Sequence, residues 1–246
     1  MCDQCSQDRF NQMAPSRRSA MLLAASALSV AFADRALAKE NKAPPKPQNV
    51  LSPDAALKRL MEGNARYVDG VARRHDFKHE REALAGGQNP FAAVLSCADS
   101  RIAPEYAFDT GRGDLFVCRV AGNFAGTETI ASLEYAVAVL NAPLILVLGH
   151  DACGAVDATL KALKDNTSPP GHIPSLVDAI APAAKAAMQQ GGEVLDKAIR
   201  QNVVDNVAKL KSAAPILSAA VEQGKLKIAG GIYRLTTGTV ELIAQG

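Results

Sequence analysis

The stretch Leu144-Ile-Leu-Val-Leu-Gly149 holds no polar side chain and runs directly into His150-Asp151-Ala152-Cys153. So short and uniform a run reads as a strand buried on both faces, as in parallel sheets covered by helices on each side. A second apolar run, Phe91 to Ser96, ends in Cys97-Ala98-Asp99-Ser100-Arg101. Two such strands ending side by side bring Cys97, His150 and Cys153 to one point. Two thiolates and an imidazole suit zinc, and three protein ligands leave one tetrahedral position for water or substrate. That is the pattern of a catalytic zinc, because a structural zinc has all four positions filled by protein.

The rest of the chain supports an α/β fold with a central, mostly parallel β-sheet of four to five strands flanked by helices. Further apolar runs are Leu115–Val120 and Leu226–Tyr233, with a short closing strand at Val240–Ile243. Helical spacing covers Thr127–Leu140, with Thr127 as the cap, and Gly154–Leu163, Ser175–Gln190, Glu193–Ser212 and Pro215–Gln223. Ala121-Gly122-Asn123 reads as a turn. Ser52-Pro53 starts an N-terminal helical arm, with Ser52 capping and Pro53 in the first turn. Leu57, Leu60 and Met61 share a face of it, and Gly63-Asn64 reads as its end or interruption. In parallel sheets, ligands bind beyond the carboxyl ends of the strands. That is where Cys97 and His150 fall.

Three segments divide the chain: an export signal over 1–38, a proline-rich linker over 39–51 and a catalytic domain over 52–246. Arg17-Arg18 precede an apolar stretch from Ala20 to Ala33, and Ala36-Leu37-Ala38 fits a cleavage site. The arginine pair resembles a twin-arginine signal, although Ala20 stands where a phenylalanine is usual. A chain exported already folded loads zinc while its thiols are reduced, so the expected location is periplasmic or secreted. Cys2 and Cys5 lie within the removed segment, and Cys118 reads as a small core residue. His75 and His79 are spaced four apart, but Arg73, Arg74, Lys78, Glu80, Arg81 and Glu82 around them mark a solvated face. A net charge of +2 over 246 residues carries no nucleic-acid footprint. No run reaches the ~18 apolar residues of a membrane span.

The chemistry at the strand ends extends beyond the ligands. Two thiolates leave the zinc close to neutral, so it acidifies water less than an all-histidine site and favours mildly alkaline pH. Asp99 is close enough to close the site as a fourth ligand. Arg101 can hold that carboxylate by both oxygens and keep it off the metal. A four-ligand structural zinc of Cys97, Asp99, His150 and Cys153 is the alternative, and it gives Arg101 no role.

Cys97-Ala-Asp-Ser-Arg101 followed by Gly149-His-Asp-Ala-Cys-Gly154 resembles the β-class carbonic anhydrases, zinc enzymes that interconvert carbon dioxide and bicarbonate. The likeness extends to Gly63-Asn64-Ala-Arg66-Tyr67, Gly113-Asp-Leu-Phe116-Val, Ala121-Gly122-Asn123, Ser132-Leu-Glu-Tyr135-Ala-Val137 and Gly230-Gly-Ile-Tyr233. It implies reversible hydration of carbon dioxide by zinc-bound hydroxide, with one zinc per subunit on Cys97, His150 and Cys153 and with Asp99 and Arg101 as the catalytic pair. The family has a type closed by aspartate, whose bicarbonate regulatory site uses a Trp, and an open type that uses a Gln. Trp is absent here and Gln88 stands at the matching position, which implies the open type. By the same matching, Gln88, Phe116, Ala121, Tyr135 and the backbone of Gly154 contact substrate. Family members build their sites at a dimer interface with the N-terminal helices wrapping the neighbour, which implies a homodimer or a dimer of dimers. Two other functions fit the residues: hydrolysis of carbon disulfide or carbonyl sulfide on the same scaffold, and a non-catalytic zinc-binding assembly protein.

Overall fold

The computed structural model describes residues 50–244. The export segment, Cys2, Cys5 and the linker up to residue 49 lie outside the described residues. Five strands form the sheet: β1 (Ala92–Ser96), β2 (Leu115–Arg119), β3 (Leu144–His150), β4 (Lys227–Tyr233) and β5 (Val240–Ala244). Their order is β2-β1-β3-β4-β5. β1 to β4 are parallel, and β5 closes the far edge antiparallel to β4. The α/β class and mostly parallel sheet read from the sequence are those observed.

Every residue of β1 and β3 is buried. Successive side chains leave a strand on opposite faces, so each of these strands feeds two cores. Ala93, Leu95, Ile145 and Val147 enter one core. Helices α4 (Thr127–Ala138), α5 (Gly154–Asp165), α6 (Pro174–Gln190), α7 (Val194–Lys211) and α8 (Ile216–Glu222) cover it. Ala92, Val94, Leu144, Leu146 and Leu148 enter the other, beneath α1 (Pro53–Val68) and the short α3 (Pro104–Ala107). A highly charged helix, α2 (Phe77–Leu84), precedes β1 and buries no residue fully. Among the described residues, no helix is long and apolar enough to cross a membrane.

The N-terminal helix starts where the sequence places it. Ser52 caps α1, its Oγ accepting from Ala55 N–H at 3.3 Å. Ala56 and Leu60 are fully buried against the chain's own sheet, and a buried leucine contributes ~1.5–3 kcal/mol. The helix is not interrupted at Gly63-Asn64, however, and continues unbroken to Val68. A Cβ at Gly63 would sit 1.9 Å from the Phe108 carbonyl oxygen, so the glycine permits a close approach. Asn64 is buried beside it. Its Nδ2 donates to the carbonyls of Ala107 (2.9 Å) and Gly238 (2.8 Å), and its Oδ1 accepts from Val240 N–H (2.8 Å). Two residues that disfavour a helix in isolation are here the docking point of one, because tertiary bonds outweigh intrinsic propensity.

Other details also depart from the sequence reading. Gly126, not Thr127, is the N-cap of α4, and no side chain caps that end. His75 precedes α2, so the two histidines do not share a helix face; Asp76 caps the helix, and His75 Nδ1 lies 3.1 Å from Glu80 Oε1. α3 had no counterpart in the sequence reading. Cys118 packs against the first core but stays half-buried on β2, and burial pushes its thiol pKa up.

Candidate metal centre

The site forms where β1 and β3 end together, Ser96 lying opposite Leu148 in register. Cys97 follows β1. His150 is the last residue of β3, because pairing with Tyr233 carries that strand one residue past Gly149. Cys153 is the N-cap of α5. One ligand atom from each lies within 4.8 Å of the other two, and all three residues are buried. The two sulfurs are 4.0 Å apart. Tetrahedral zinc with bonds of ~2.3 Å places two sulfurs ~3.8 Å apart, so the donors already stand at nearly the required spacing.

The imidazole is oriented by its other nitrogen. His150 Nδ1 lies 2.8 Å from the Asp151 carbonyl, which holds the proton on Nδ1. Nε2 is buried and has no hydrogen-bond partner. A buried nitrogen left unpaired costs stability, and a metal ion on its lone pair satisfies it. A hydrogen bond from the Cys153 thiol pulls the Cys97 pKa down, against the opposing effect of burial. His150 and the Gly122 N–H, which donates to Cys97 Sγ at 3.3 Å, pull the same way. The shared contact and burial push Cys153 up. Two buried thiols in contact hold a proton between them at a cost, and a divalent cation on the two sulfurs would displace it. The donor set therefore fits zinc.

Asp99 is fixed beside this trio. Arg101 Nε donates to Oδ1 (2.9 Å) and Nη2 to Oδ2 (2.7 Å), while the Arg101 backbone N–H donates to Oδ1 (2.9 Å). These bonds from Arg101 hold the carboxyl well below the usual carboxylate range. Oδ2 still stands 3.8 Å from His150 Nε2. Arg101 Nη2 also donates to the Ala152 carbonyl at 3.3 Å, tying the loop after β1 to the loop after β3.

Comparison with known proteins agrees with this geometry. The carbonic anhydrase family profile matches residues 92–240, more than half of the chain. Carbonic anhydrase 2 of Mycobacterium tuberculosis is 42% identical over 192 residues, 78% of this chain and 93% of that protein. The chain belongs to the β-class carbonic anhydrases. Among solved structures, the β-carbonic anhydrase CcaA is 26% identical with a TM-score of 0.60, covering 77% of this chain and 92% of the other. A structure from a study of two tetrameric β-carbonic anhydrases of Sordaria macrospora shares the fold at 24% identity, with a TM-score of 0.61 over 77% and 97% of the two chains.

Within one chain of this β-carbonic anhydrase, the residues expected from the sequence to contact substrate fall in two places. Ala121 and Gly154 stand with the ligands, beside Gly122 and at the start of α5 respectively. Gln88 lies exposed before β1, at the opposite end from Cys97, and a five-residue strand spans ~17 Å. Phe116 pairs with Ala93, four residues and ~13 Å of strand short of Cys97. Tyr135 lies in the last turn of α4, 48% exposed, its ring centroid 6.3 Å from that of Phe116.

Three supports of the carbonic anhydrase site were not read from the sequence. Arg119, at the end of β2, reaches across to three carbonyls: Nε to Cys97 (2.9 Å) and Nη2 to Asp99 (2.7 Å) and Ile102 (2.9 Å). Its one signal was a lone cation inside the otherwise apolar run Leu115–Val120. Asp151 Oδ1 accepts from Leu235 N–H at 2.9 Å and anchors the loop after His150. Asn202 and Asn206, on α7, bond the turn at 122–125; two amides i, i+4 among apolar neighbours were visible, but not what they hold.

Proposed function

We propose that this carbonic anhydrase hydrates carbon dioxide reversibly to bicarbonate and a proton at a zinc centre held by Cys97, His150 and Cys153, each site being completed by a second copy of the chain. The observation that carries the reading is the buried trio within 4.8 Å, with the unpartnered Nε2 of His150 inside it and Asp99 tethered by Arg101 at its side. Zinc there supplies a water acidified enough to act as nucleophile near neutral or mildly alkaline pH.

The chain's own groups do the rest. Arg101 keeps both Asp99 oxygens engaged and so would keep the carboxylate off a metal held by Cys97, His150 and Cys153. Asp99 Oδ2 accepts a hydrogen bond from the attacking water and turns its lone pair toward the substrate carbon. The Gly154 N–H, at the positive end of α5, donates to the oxygen on which charge develops. Ala121 offers a small apolar wall, which suits carbon dioxide better than it suits water.

Gln88, Phe116 and Tyr135 reach this centre only from a neighbouring chain. β2 is an edge strand of this sheet yet half-buried through most of its length, and Tyr135 and Val139 beside it are 48% and 56% exposed. That surface fits an interface with a second copy, across which Gln88 of the partner subunit donates to bicarbonate as in the open type. We further propose that residues 1–38 direct folded export through a twin-arginine route to the periplasm, on the strength of Arg17-Arg18 and Ala36-Leu37-Ala38.

The test is zinc content together with stopped-flow carbon dioxide hydration on the mature chain, before and after Cys97→Ala. The reading requires one zinc per chain and turnover, with both lost in the variant. Turnover that persists in zinc-free Cys97→Ala sinks it.

A further inference from the structure

Helix α7 carries two buried amides that the proposed chemistry does not use. Asn202 and Asn206 lie among Ile199, Val203, Val207 and Leu210, all part of the first core. Amides in such surroundings cost stability unless paired, and an apolar face there would pack at least as well. Their bonds run to one place. Asn206 Oδ1 accepts from Ala125 N–H at 2.7 Å, and Asn202 Nδ2 donates to the Gly122 carbonyl at 2.8 Å. Asn206 Nδ2 locks the pair by donating to the Asn202 carbonyl (2.7 Å) and Oδ1 (3.1 Å). The two side chains thus grip both ends of the turn at 122–125.

The same turn presents the Gly122 N–H to Cys97 Sγ at 3.3 Å. It has little freedom to move otherwise. Gly122 sits at φ +84°, and a Cβ there would lie 2.5 Å from Ile180 Cδ1 on α6. An N–H aimed at a metal-bound thiolate draws charge from the sulfur, so its direction sets how strongly that sulfur donates. Groups that orient ligands in this way typically change metal affinity or activity by ~10–100-fold when removed.

We infer that Asn202 and Asn206 are positioning residues for the Cys97 sulfur, holding the 122–125 turn so that its N–H points at that atom. The inference rests on the metal-centre reading above and adds to it a support that lies some eighty residues along the chain from the turn it holds. It makes α7 a participant in ligand tuning as well as packing.

Cobalt(II) substituted for zinc in the full chain gives a near-ultraviolet thiolate charge-transfer band that reports on the sulfur directly, and chelator competition gives affinity. Asn206→Leu, alike in branching and heavy-atom count but without polar atoms, is expected to shift that band and to weaken metal binding by about tenfold. Asn206→Ser, whose hydroxyl keeps one donor and one acceptor, should fall between. Leu210→Ala, one turn further along α7, should lower thermal stability with the band unmoved. Should Asn206→Leu fail to fold, Asn202→Ser is read the same way, since it removes the bond to the Gly122 carbonyl and the one from Asn206 Nδ2 to Asn202 Oδ1 while leaving the bond from Asn206 Oδ1 to Ala125 N–H. A folded variant with the wild-type band and affinity overturns the inference while leaving the centre intact. A wild-type protein with no thiolate band overturns the centre itself, and this inference with it.

Discussion

Arg119 has its guanidinium spread over three carbonyls from Cys97 to Ile102, the loop that carries one ligand and the carboxylate beside it. Hydrogen bonds from a charged donor contribute ~1.5–3 kcal/mol each, and only a planar fork spans three acceptors at once. Arg119→Leu should lower both zinc content and hydration rate, and Arg119→Lys should recover only part of the loss; metal analysis and stopped-flow rates on the purified variants check this. Arg101 acts differently. Arg101→Leu frees Asp99 to take the fourth metal position, so kcat should fall on the order of a hundredfold while zinc content stays at wild-type level. Loss of zinc with the rate would show that Arg101 only supports the fold. Cys97, His150 and Cys153 were legible in the sequence because metal ligation demands particular side chains at strand ends. Arg119 was not, because its acceptors are backbone carbonyls, which leave no mark on the residue types around them.

At the level of single elements, α1 shows how a local signal misleads. Gly63-Asn64 reads as a stop, yet the pair is where the helix meets the rest of the fold. Asn64→Leu leaves the carbonyls of Ala107 and Gly238 and the N–H of Val240 without their partner. A cost of about 3 kcal/mol follows, or a melting temperature roughly 6–12 °C lower, measurable by thermal unfolding. The strands were easier to read, since continuous apolar runs bounded by turns have few other uses. Thr127 was misplaced as a cap because a glycine with no side-chain signature does that work. At the sheet's closed edge, Arg200 and then Arg234 hold Glu241 below its usual pKa, and Asp196 pairs with both arginines. A carboxylate with a depressed pKa stabilises the fold above its ordinary value of ~4.3, and that contribution fades as pH falls through the depressed value. Glu241 is 46% exposed as a side chain, so the effect is under ~1 kcal/mol. Glu241→Gln should lower stability slightly at pH 7 and converge on wild type as pH falls through the depressed carboxylate value, in urea titrations across that range.

For the whole molecule, the proposed sharing of each site between two chains makes a prediction that neither chain makes alone. Cys97→Ala removes the metal centre and Gln88→Ala removes the donor, so each homodimer lacks something at both sites. In a hybrid dimer one site lacks both groups and the other has both. Co-expressed chains should therefore regain up to about a quarter of wild-type activity, half of the dimers being hybrids and half of their sites complete. Activity no greater than the mean of the two parents would place Gln88 outside the site. The sheet order could not be read from the sequence, because a strand's neighbours depend on crossovers rather than on its own residues. The register of β2, which puts Phe116 at the Gln88 end of β1, could not be read either. The split itself was within reach, because the sequence already sets the strand Phe91–Ser96 between Gln88 and Cys97.

That short strand works as a ruler. On the proposed function, it fixes how far Gln88, offered to a neighbour's substrate, stands from the Cys97 sulfur of its own metal centre. Lengthening or shortening β1 by a single residue would do more than disturb packing. It would turn Cys97 to the opposite face of the sheet and slide Gln88 along the subunit boundary in the same stroke, so both active sites of the pair would lose their alignment to one small change.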